Sequence, residues 1–302
     1  MSRATTLRLA AVVVQYGHAD ETRKTVAAML RATPPLARIL VVDNASPDDA
    51  GATIAPWCAE HGVELLRAPE NRGYAAGANL GVRAALEDPD IEWIAYCNND
   101  VEVAPTYFAR VIEALHAHRG VCGSGILLTR DGVTLDYGGG HFAPWRALVV
   151  QERADPGPDA PPRRTQFVTA CAMVVHRAAI ARVGVLPEAY APGYLEDAEF
   201  SWRLDAAGLS QWVVPSARAV HAVSASFGGI AVRPATLQLV TRNRLWFARR
   251  NFGVGARTAA WLYFAATKPL RAVVELVRGR PAVAAALWRG WLAGAFSRYP
   301  AG

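Results

Sequence analysis

Residues 7–14 read LRLAAVVV, residues 37–43 read ARILVVD, residues 63–67 read VELLR and residues 92–97 read EWIAYC. These four runs are short and apolar, and segments long enough for helices separate them. Strands that are buried on both faces of a parallel sheet show this continuous apolar pattern. The first hundred residues therefore predict an α/β fold that begins with a βαβαβαβ unit with right-handed crossovers.

Polar residues close these four strands. Ligands of open α/β sheets bind beyond the carboxyl ends of the strands. We therefore expect one cleft to be lined by the strand-closing residues Gln15, Tyr16, Asp43, Asn44, Glu70, Asn71, Asn98, Asn99 and Asp100.

The second half of the chain follows a less regular pattern after a helix predicted from about Pro105 to His118. A Pro-rich surface loop is predicted over residues 154–164. Further sheet segments are predicted at 120–129, 133–142, 167–175 and 211–215, and a helix that ends at Gly208 follows the loop beginning at Ala189.

Composition excludes several classes of protein. The chain has 302 residues, 52% hydrophobic and 19% charged, which is not the composition of a disordered or fibrous protein. The longest stretch without Asp, Glu, Lys or Arg has 14 residues, fewer than the roughly 18–20 that a spanning helix needs. The apolar run after Arg8 is too short for a secretory signal, so we expect a cytoplasmic chain. None of the cysteines has CxxC spacing, so we interpret all four as reduced core residues: Cys58, Cys97, Cys122 and Cys171.

The net charge of +6 is divided unevenly along the chain. Residues 1–232 hold 20 basic and 25 acidic side chains, whereas residues 233–302 hold 12 basic and 1 acidic side chain. We therefore predict an α/β domain over residues 1–232 and a basic helical region over residues 233–302.

The basic region contains two segments with apolar residues at helical spacing. These residues are Leu270, Val273, Val274 and Val277 in the first segment, and Ala284, Leu287, Trp288, Trp291, Leu292 and Ala295 in the second. Basic amphipathic helices that carry tryptophan lie in membrane interfaces. We favour attachment to an anionic membrane surface. Packing on the α/β domain or on a second subunit is the alternative, and nucleic-acid binding fits less well because the apolar faces are wide.

The triplet NND, residues 98–100, gives the sharpest chemical signal. A carboxylate beside two amides suits a hard divalent cation whose shell diphosphate oxygens complete. Asp100 is the candidate ligand, and the alternative is a turn that caps the helix beginning near Pro105. His221 follows an apparent strand, and it is either a structural residue or a side chain that converges with Asp100.

Two further motifs follow the second and third strands. In VVDNASPDD, Asp43 is a candidate for binding a nucleobase or ribose, whereas we interpret Asp48 and Asp49 as helix-capping residues. In ENRGYAAGANLG, a glycine turn opens a helix where backbone N–H groups and Arg72 can meet an anion. The GxxxxGK[ST] spacing is absent, and no GxGxxG follows the first strand, which argues against P-loop and NAD chemistry.

The segment YLEDAEFSWR holds Glu196, Asp197 and Glu199. In a helix, Glu196 and Glu199 share one side and Asp197 lies on another, so the three cannot all serve one site. One carboxylate in a polar cleft would act as a general base for a hydroxyl nucleophile. The alternative is an acidic helix N-terminus that the helix dipole favours.

Taken together, VVVQYG, VVDNASPDD, ENRGYAAGANLG, NNDVE, YLEDAEFSWR and the later His221 resemble, in order and spacing, the family 2 inverting glycosyltransferases of the GT-A fold. The similarity is strongest to the bacterial rhamnosyltransferase-like subgroup, and it covers roughly residues 8–250. The resemblance implies a Rossmann-like, mostly parallel sheet flanked by helices. It also implies transfer of a sugar, with rhamnose as one candidate, from a dTDP- or UDP-sugar to a hydroxyl of a cell-surface or lipid-linked glycan at the inner face of the membrane.

The resemblance also implies roles for single residues. Asp100 would ligate Mg²⁺ or Mn²⁺, with His221 completing the metal shell. Asp197 matches the general base of the family, and Glu196 would position the acceptor or the base. The expected donor-binding residues are Gln15, Tyr16, Asp43, Asn71, Arg72, Gly73, Asn79, Asn98 and Asn99.

Two departures from the family pattern concern donor and metal binding. The first strand of the family usually ends in Thr or Ser, an aromatic residue and a polar residue, whereas here Gln15, Tyr16 and Gly17 stand there. The NND triplet has one carboxylate where some members have two, so metal affinity is expected to be modest and to depend on the donor diphosphate.

Two other functions fit parts of the pattern. A sugar-phosphate nucleotidyltransferase would carry a GxGxRL-like loop after the first strand, and VVVQYGHAD has none. A non-catalytic glycan-binding or scaffold protein of the same fold would keep its biological activity when Asp197 is replaced by Asn.

Overall fold

The computed structural model describes residues 6–47, 49–222 and 233–299. Its strands are β1 (Leu7–Gln15), β2 (Leu36–Asp43), β3 (Glu64–Arg67), β4 (Trp93–Asn98), β5 (Val101–Val103), β6 (Cys122–Leu128), β7 (Leu135–Tyr137), β8 (Gly140–Ala143), β9 (Leu148–Gln151), β10 (Arg163–Thr165), β11 (Ala172–His176) and β12 (Gln211–His221). Its α-helices are α1 (Ala19–Leu30), α2 (Ala50–Glu60), α3 (Tyr74–Leu86), α4 (Tyr107–Ala117), α5 (Arg177–Val183), α6 (Glu196–Ala206), α7 (Pro234–Asn251), α8 (Val254–Val277) and α9 (Pro281–Phe296).

The central sheet has the strand order β10-β12-β6-β11-β4-β1-β2-β3, with β5 added beside β12 and β7 beside β6. Strands β1 to β4 run parallel, which confirms the βαβαβαβ prediction. The predicted buried run at 167–175 contains β11, which lies antiparallel between β4 and β6. Because β12 runs parallel to β6, the carboxyl ends of β1, β2, β4 and β12 lie at one edge of the sheet.

Strand β12 is longer than the sequence pattern suggested. The prediction ended the strand at Pro215, but pairing with β6 resumes after an irregularity between Val214 and Arg218 and continues to Val220. Proline cannot donate a ladder hydrogen bond, so it is accommodated at this irregularity. His221 is therefore the last residue of a strand and is held by its pairing with β5.

Alternate residues of β1 serve the two hydrophobic layers of the fold, as expected for a strand. Ala11 and Val13 belong to the layer that contains residues of α1, α2 and α4. Val12 and Val14 belong to the layer that contains residues of α3. The four cysteines are free thiols, three of them buried and one partly buried, as predicted.

Helix α7 shares the core of the sheet. Leu245, Trp246 and Phe247 are buried in the same cluster as residues of β1 and α4. Trp246 is therefore a core residue. Helix α9 packs closely on α7, since a Cβ at Gly290 would lie 2.5 Å from the carbonyl oxygen of Gln238.

Helix α8 exposes the apolar face that the sequence predicted. Leu270, Val273 and Val277 are 66%, 56% and 84% exposed. Its opposite side is buried through Ala260 and Phe264. Among the described residues, none of the helices combines the length and the apolar character required to span a bilayer.

The Glu199 carboxylate joins α6 to the C-terminal helices. Its side chain is fully buried. It accepts hydrogen bonds from Tyr190, Arg203, Arg250, Asn251 and Tyr299. Burial alone would raise the pKa of Glu199, but the bonds from Tyr190 and Arg203 outweigh it and hold that pKa below its usual value.

Replacement of Glu199 by Gln is expected to lower the free energy of unfolding by about 2 kcal/mol, because it removes the buried anion to which Arg203 and Arg250 are paired. Denaturant unfolding at neutral pH measures this loss. A group with a lowered pKa contributes stability above its unfolded pKa and loses it as the pH falls. The difference in unfolding free energy between wild type and variant should therefore become smaller as the pH falls below the ordinary pKa of glutamate.

Glu113→Gln is the matched control, because Glu113 is exposed on α4. Equal unfolding free energies for the Glu199 variant and wild type at neutral pH would contradict the role assigned to this carboxylate.

Candidate active site

The NND triplet lies at the carboxyl end of β4 and is held by helix α1. The Asn99 amide donates to the Thr22 hydroxyl at 3.1 Å, and the backbone N–H of Val101 donates to the Thr25 hydroxyl at 3.1 Å. Strand β5 begins directly after Asp100, and α4 begins only at Tyr107 with no side-chain cap. The alternative that NND caps this helix is therefore wrong.

His221 meets Asp100 at this edge of the sheet. Its Nε2 lies 3.2 Å from Asp100 Oδ1, and its Nδ1 lies 2.7 Å from Asp136 Oδ2. Burial alone would lower the pKa of His221, but hydrogen bonds and charge attraction from the two carboxylates outweigh it and raise that pKa to about 9. His221 is therefore not an isolated structural histidine. Asp136, on β7, was not predicted from the sequence, and the available signal was a carboxylate directly before the YGGG turn.

Among the described residues of the predicted site, Asp100 and His221 place an oxygen and a nitrogen atom that can bind a metal ion 3.2 Å apart. The second contact of His221 fits such a role, because ligating histidines commonly donate their other ring nitrogen to a carboxylate. Among the described residues there is no group of three or more His, Cys, Asp or Glu side chains placed to hold a metal ion. Within the part of the chain that the structure describes, Asp100 and His221 are the candidate ligands at this position.

Asp43 closes β2 in a narrow space. Its Oδ1 accepts the backbone N–H of Ser46 at 3.2 Å, and a Cβ at Gly51 would lie 1.9 Å from its Oδ2. Asp49 stands at the helix N-cap position but makes no side-chain cap bond, so the capping prediction is wrong for this residue. Asp48 lies outside the described residues.

At the carboxyl ends of β1 and β2, several buried amide atoms have no hydrogen-bond partner among the described residues. Neither polar atom of the Gln15 side chain has a hydrogen-bond partner among the described residues, and the same holds for Oδ1 of Asn44. Buried polar atoms without partners are rare and require explanation. Tyr16, the next residue, is 50% exposed. These groups are placed to meet a polar ligand at the carboxyl end of β1.

The turn before α3 is joined to the segment before α6. The Asn44 amide donates to Asn71 Oδ1 and to the Gly73 carbonyl, both at 3.1 Å. Gly73 has a φ of 92°, and a Cβ there would lie 2.9 Å from the Pro192 carbonyl oxygen. Arg72 is exposed, and its guanidinium lies 3.6 Å from Glu188.

Asn79 does not join this group. It is fully buried in α3, and its amide donates to the Leu186 carbonyl at 2.8 Å and to Glu188 at 2.9 Å. The prediction that it binds the donor is not supported by this position, because both bonds tie α3 to the protein interior.

Glu196 and Asp197 form a coupled pair at the start of α6. Burial and the neighbouring Asp197 raise the pKa of Glu196 to about 8. Burial also raises the pKa of Asp197, although Ala170 and Ala198 donate backbone N–H bonds to it. Since one oxygen of Glu196 has no partner among the described residues, the pair holds its negative charge on Asp197 and its proton on Glu196. Helical spacing placed Glu196 on the same side of the helix as Glu199. In the structure, the carboxyl of Glu196 instead interacts with that of Asp197, whose charge raises its pKa.

A short chain of contacts brings Asp197 to the NND edge. The Asn98 amide lies 3.3 Å from Cys171 Sγ, and the Thr169 hydroxyl lies 3.3 Å from the same sulfur. Between them, the Ala170 N–H donates to Asp197 at 3.3 Å. Because β11 is antiparallel, this segment enters the sheet at the edge where β4 ends. The carboxylate of Asp197 and the NND triplet therefore lie at the same edge of the sheet, linked through residues 169–171.

Asn243, on α7, fixes the segment that leads into this pair, and the sequence analysis missed it. Its fully buried amide donates to the carbonyl oxygens of Gly193 and Tyr194 at 3.0 Å and of Tyr190 at 3.4 Å. Tyr194 and Leu195 both have a φ of 74°, a strained conformation for residues other than glycine. We infer that Asn243 offsets this strain. The available sequence signal was the adjacent pair Arg242 and Asn243 within the segment TRNRLWFARRN.

The comparisons with known proteins identify the family of the chain. The model of the family described as "Glycosyl transferase family 2" matches residues 10–182, more than half of the chain. The chain belongs to glycosyl transferase family 2. It is thus a glycosyltransferase, as the motif resemblance implied.

Characterised relatives of this glycosyltransferase transfer sugars. It is 26% identical, over 73% of its length and 78% of theirs, to N-acetylglucosaminyl-diphospho-decaprenol L-rhamnosyltransferase of two Mycobacterium tuberculosis strains. It is 21% identical, over 56% of its length and 53% of that protein, to the low-salt glycan biosynthesis hexosyltransferase Agl10 of Haloferax volcanii. A rhamnosyltransferase-like relative is therefore confirmed.

Solved glycosyltransferases share the fold. GalNAc-T7 with UDP, GalNAc and Mn²⁺ matches with a TM-score of 0.63 at 16% identity, over 91% of this chain and 54% of that one. The mannosyltransferase PcManGT from Pyrobaculum calidifontis with GDP-Man and Mn²⁺ matches with a TM-score of 0.61 at 16% identity, over 97% of this chain and 88% of that one. This glycosyltransferase thus has the predicted GT-A fold, and it spans about half the length of GalNAc-T7.

Replacing Asn243 by Ala in this glycosyltransferase should lower kcat about 100-fold with little change in the KM for donor, because small displacements of a catalytic group are costly. Initial-rate kinetics measure both quantities. Gln238→Ala is the control, since Gln238 lies on the same helix and its side chain makes no hydrogen bond with a described residue. Equal kcat losses in the two variants would exclude the positioning role.

Proposed function

We propose that this glycosyltransferase inverts the anomeric centre of a nucleotide-diphosphosugar, a dTDP- or UDP-sugar, as it transfers the sugar to a hydroxyl of a lipid-linked or cell-surface glycan. The observation that carries this proposal is the position of Asp197, which the Thr169–Cys171 segment holds beside Asn98. A base and a leaving-group site on opposite sides of one cleft are what a single in-line displacement requires.

The donor would occupy the carboxyl ends of β1 and β2. The unpaired amide of Gln15 and the oxygen of Asn44 would gain partners from its base and ribose, and Asp43 lies beside them. Tyr16 and the turn at Asn71, Arg72 and Gly73 would border the diphosphate. The two solved neighbours hold UDP and GDP-Man, which supports a nucleotide-sugar donor of this class.

Asp100 and His221 would hold a divalent cation, Mg²⁺ or Mn²⁺, with Asp136 orienting the histidine. When bound, such an ion supplies electrostatic stabilisation of the charge that develops on the departing diphosphate. The mixed oxygen and nitrogen ligands fit a divalent cation, and both solved neighbours contain Mn²⁺.

Asp197 would remove the proton from the acceptor hydroxyl. The acceptor oxygen would form a bond to the anomeric carbon while the bond between that carbon and the donor diphosphate breaks. The raised pKa of Asp197 makes it a stronger base than an exposed aspartate, and the proton on Glu196 leaves that side chain free to donate a hydrogen bond to the acceptor. Attack from the side opposite the leaving group inverts the anomeric carbon.

A lipid would carry the proposed acceptor. The exposed apolar face of α8 would contact the inner surface of the membrane. Leu262, Leu270, Val273, Leu276 and Val277 are each more than half exposed on α8, which also carries Arg257 and Arg271. An apolar face flanked by basic side chains binds anionic interfaces. The rhamnosyltransferase of M. tuberculosis is named for a decaprenol-linked acceptor, which supports this assignment.

Replacing Asp197 by Asn should lower transfer about 1,000-fold, because the general base is lost. Donor binding should remain, so the rise in melting temperature that UDP- or dTDP-sugar with Mn²⁺ produces would be kept. Asp100→Asn should instead remove the part of that rise that depends on Mn²⁺.

Asp205→Asn provides the matched control, since Asp205 is exposed on the same helix. Full transfer activity in the Asp197 variant would refute the general-base assignment and favour a non-catalytic protein of this fold.

Combined replacement of Leu270 and Val277 by Gln should lower the affinity for anionic vesicles about tenfold for each side chain, because apolar area is no longer buried on binding. Vesicle co-sedimentation measures the effect. Val133→Gln is the control, since Val133 is 78% exposed in the turn between β6 and β7. Unchanged sedimentation of the double variant would exclude α8 as the membrane contact.

A further inference from the structure

A cavity of about 590 Å³ lies between the end of α7, the start of α8 and the end of α9. Three guanidinium groups line it, those of Arg249, Arg250 and Arg257, together with the aromatic rings of Trp261 and Tyr299. None of these residues belongs to the candidate active site. Asp197 and Glu199 point from different sides of α6, and this cavity lies on the Glu199 side, since Arg250 bonds that carboxylate at 3.0 Å.

The described residues neutralise the positive charge of the cavity only in part. Glu199 is the only carboxylate that the described structure places against these three arginines, and Arg203 shares it. Arg249 uses its Nη1 to bond the carbonyl oxygens of Gly294 and Ser297, which carry no net charge. The guanidinium of Arg257 makes no hydrogen bond or ion pair with any described residue. The cavity therefore holds an excess of cationic donors that an anion would satisfy.

The aromatic groups shape the cavity for a ligand that enters from an apolar surface. The Arg250 guanidinium stacks 4.7 Å from the centre of the Tyr299 ring, which fixes its orientation. Trp261 is 41% exposed, and Arg257 lies one turn before it on the same side of α8. Val254 and Leu262, near the cavity on this helix, are 71% and 57% exposed. An indole at the border between a polar cavity and an apolar surface is the arrangement preferred at membrane interfaces.

We infer that this cavity binds the phosphate group of a membrane-lipid headgroup, with Arg257 as its principal free donor. The inference rests on the proposed contact between α8 and the membrane, and it adds a specific anion site to that contact. Guanidinium groups present paired donors that match phosphate oxygens, so three of them around one cavity favour phosphate over a compact cation or a sugar hydroxyl. A lipid, rather than a soluble anion, is favoured because exposed apolar side chains adjoin the opening.

The test compares Arg257→Gln with Arg289→Gln in the full-length protein. Arg289 is exposed on α9 without a partner among the described residues, so both variants lose one charge from the same basic region. Binding is measured with vesicles of phosphatidylcholine alone and with added phosphatidylglycerol. Melting temperatures show whether either variant disturbs the fold, and neither is expected to do so because both side chains lack protein contacts.

Arg257→Gln is expected to weaken binding to the phosphatidylglycerol vesicles about tenfold more than Arg289→Gln does, the value of a lost charge-assisted hydrogen bond. Binding to phosphatidylcholine alone should be the same for both variants. Arg257→Lys keeps the charge but loses the paired donors, so it should fall between wild type and Arg257→Gln.

Equal losses for Arg257→Gln and Arg289→Gln would overturn the inference and leave a diffuse electrostatic contact. Inorganic diphosphate that raises the melting temperature of wild type but not of Arg257→Gln, with no Arg257 effect on vesicles, would assign the cavity to a soluble anion and overturn the lipid assignment. Wild-type protein that binds neither kind of vesicle would overturn the proposed membrane contact as well, whereas vesicle binding that is independent of Arg257 overturns this inference alone.

Discussion

The buried carboxylate of Glu199 is the contact on which the arrangement of this glycosyltransferase depends. It belongs to the helix that begins with Glu196 and Asp197, and its partners come from the preceding segment, from α7 and from Tyr299 near the chain end. A buried charge must be paired and hydrogen-bonded, so these elements cannot separate without a large cost. Asn243 reinforces the same connection through backbone carbonyls. The C-terminal helices therefore do more than follow the α/β fold, because they hold the segment that leads into Glu196 and Asp197.

The carboxyl groups of Glu196, Asp197 and Glu199 lie within four residues of each other, yet their surroundings shift their pKa values differently. Glu199 is surrounded by donors, which keep its pKa low. Asp197 accepts backbone N–H bonds and holds a charge in a cleft, while Glu196 has an unpartnered oxygen and holds a proton. The residues are the same in kind, so the differences come from the number of donors that the fold places around each one. One short motif can in this way supply a base, a neutral hydrogen-bond donor and a structural anchor.

The sequence was sufficient for the elements that depend on local pattern. The apolar runs located β1 to β4, and the rule that ligands meet strand ends located Asp43, Asp100 and the neighbouring amides. Asp136 could not be found in this way, because its contact with His221 spans 85 residues and depends on strand pairing. Asn243 was missed because its partners are backbone carbonyls, which no sequence motif displays. The donor-binding role of Asn79 stays a prediction, because an amide within a motif looks the same whether it faces a ligand or the core, and its Oδ1 has no partner among the described residues. The boundary predicted at 232/233 lies beside residues outside the described structure, yet α7 shares the core of the sheet.

The excess of arginine after residue 232 has two physical explanations rather than one. Arg242, Arg244 and Arg249 donate to carbonyl oxygens of neighbouring segments, so these charges serve as long hydrogen-bonding side chains within the fold. Arg257 and Arg289 have no such partners, so their charges remain available at the surface. A count of charge cannot distinguish these uses, because it weighs a guanidinium bound to a carbonyl and a free one equally. Only the second kind can attract an anionic surface, so the proposed membrane contact depends on Arg257 and Arg289 together with the exposed apolar residues of α8.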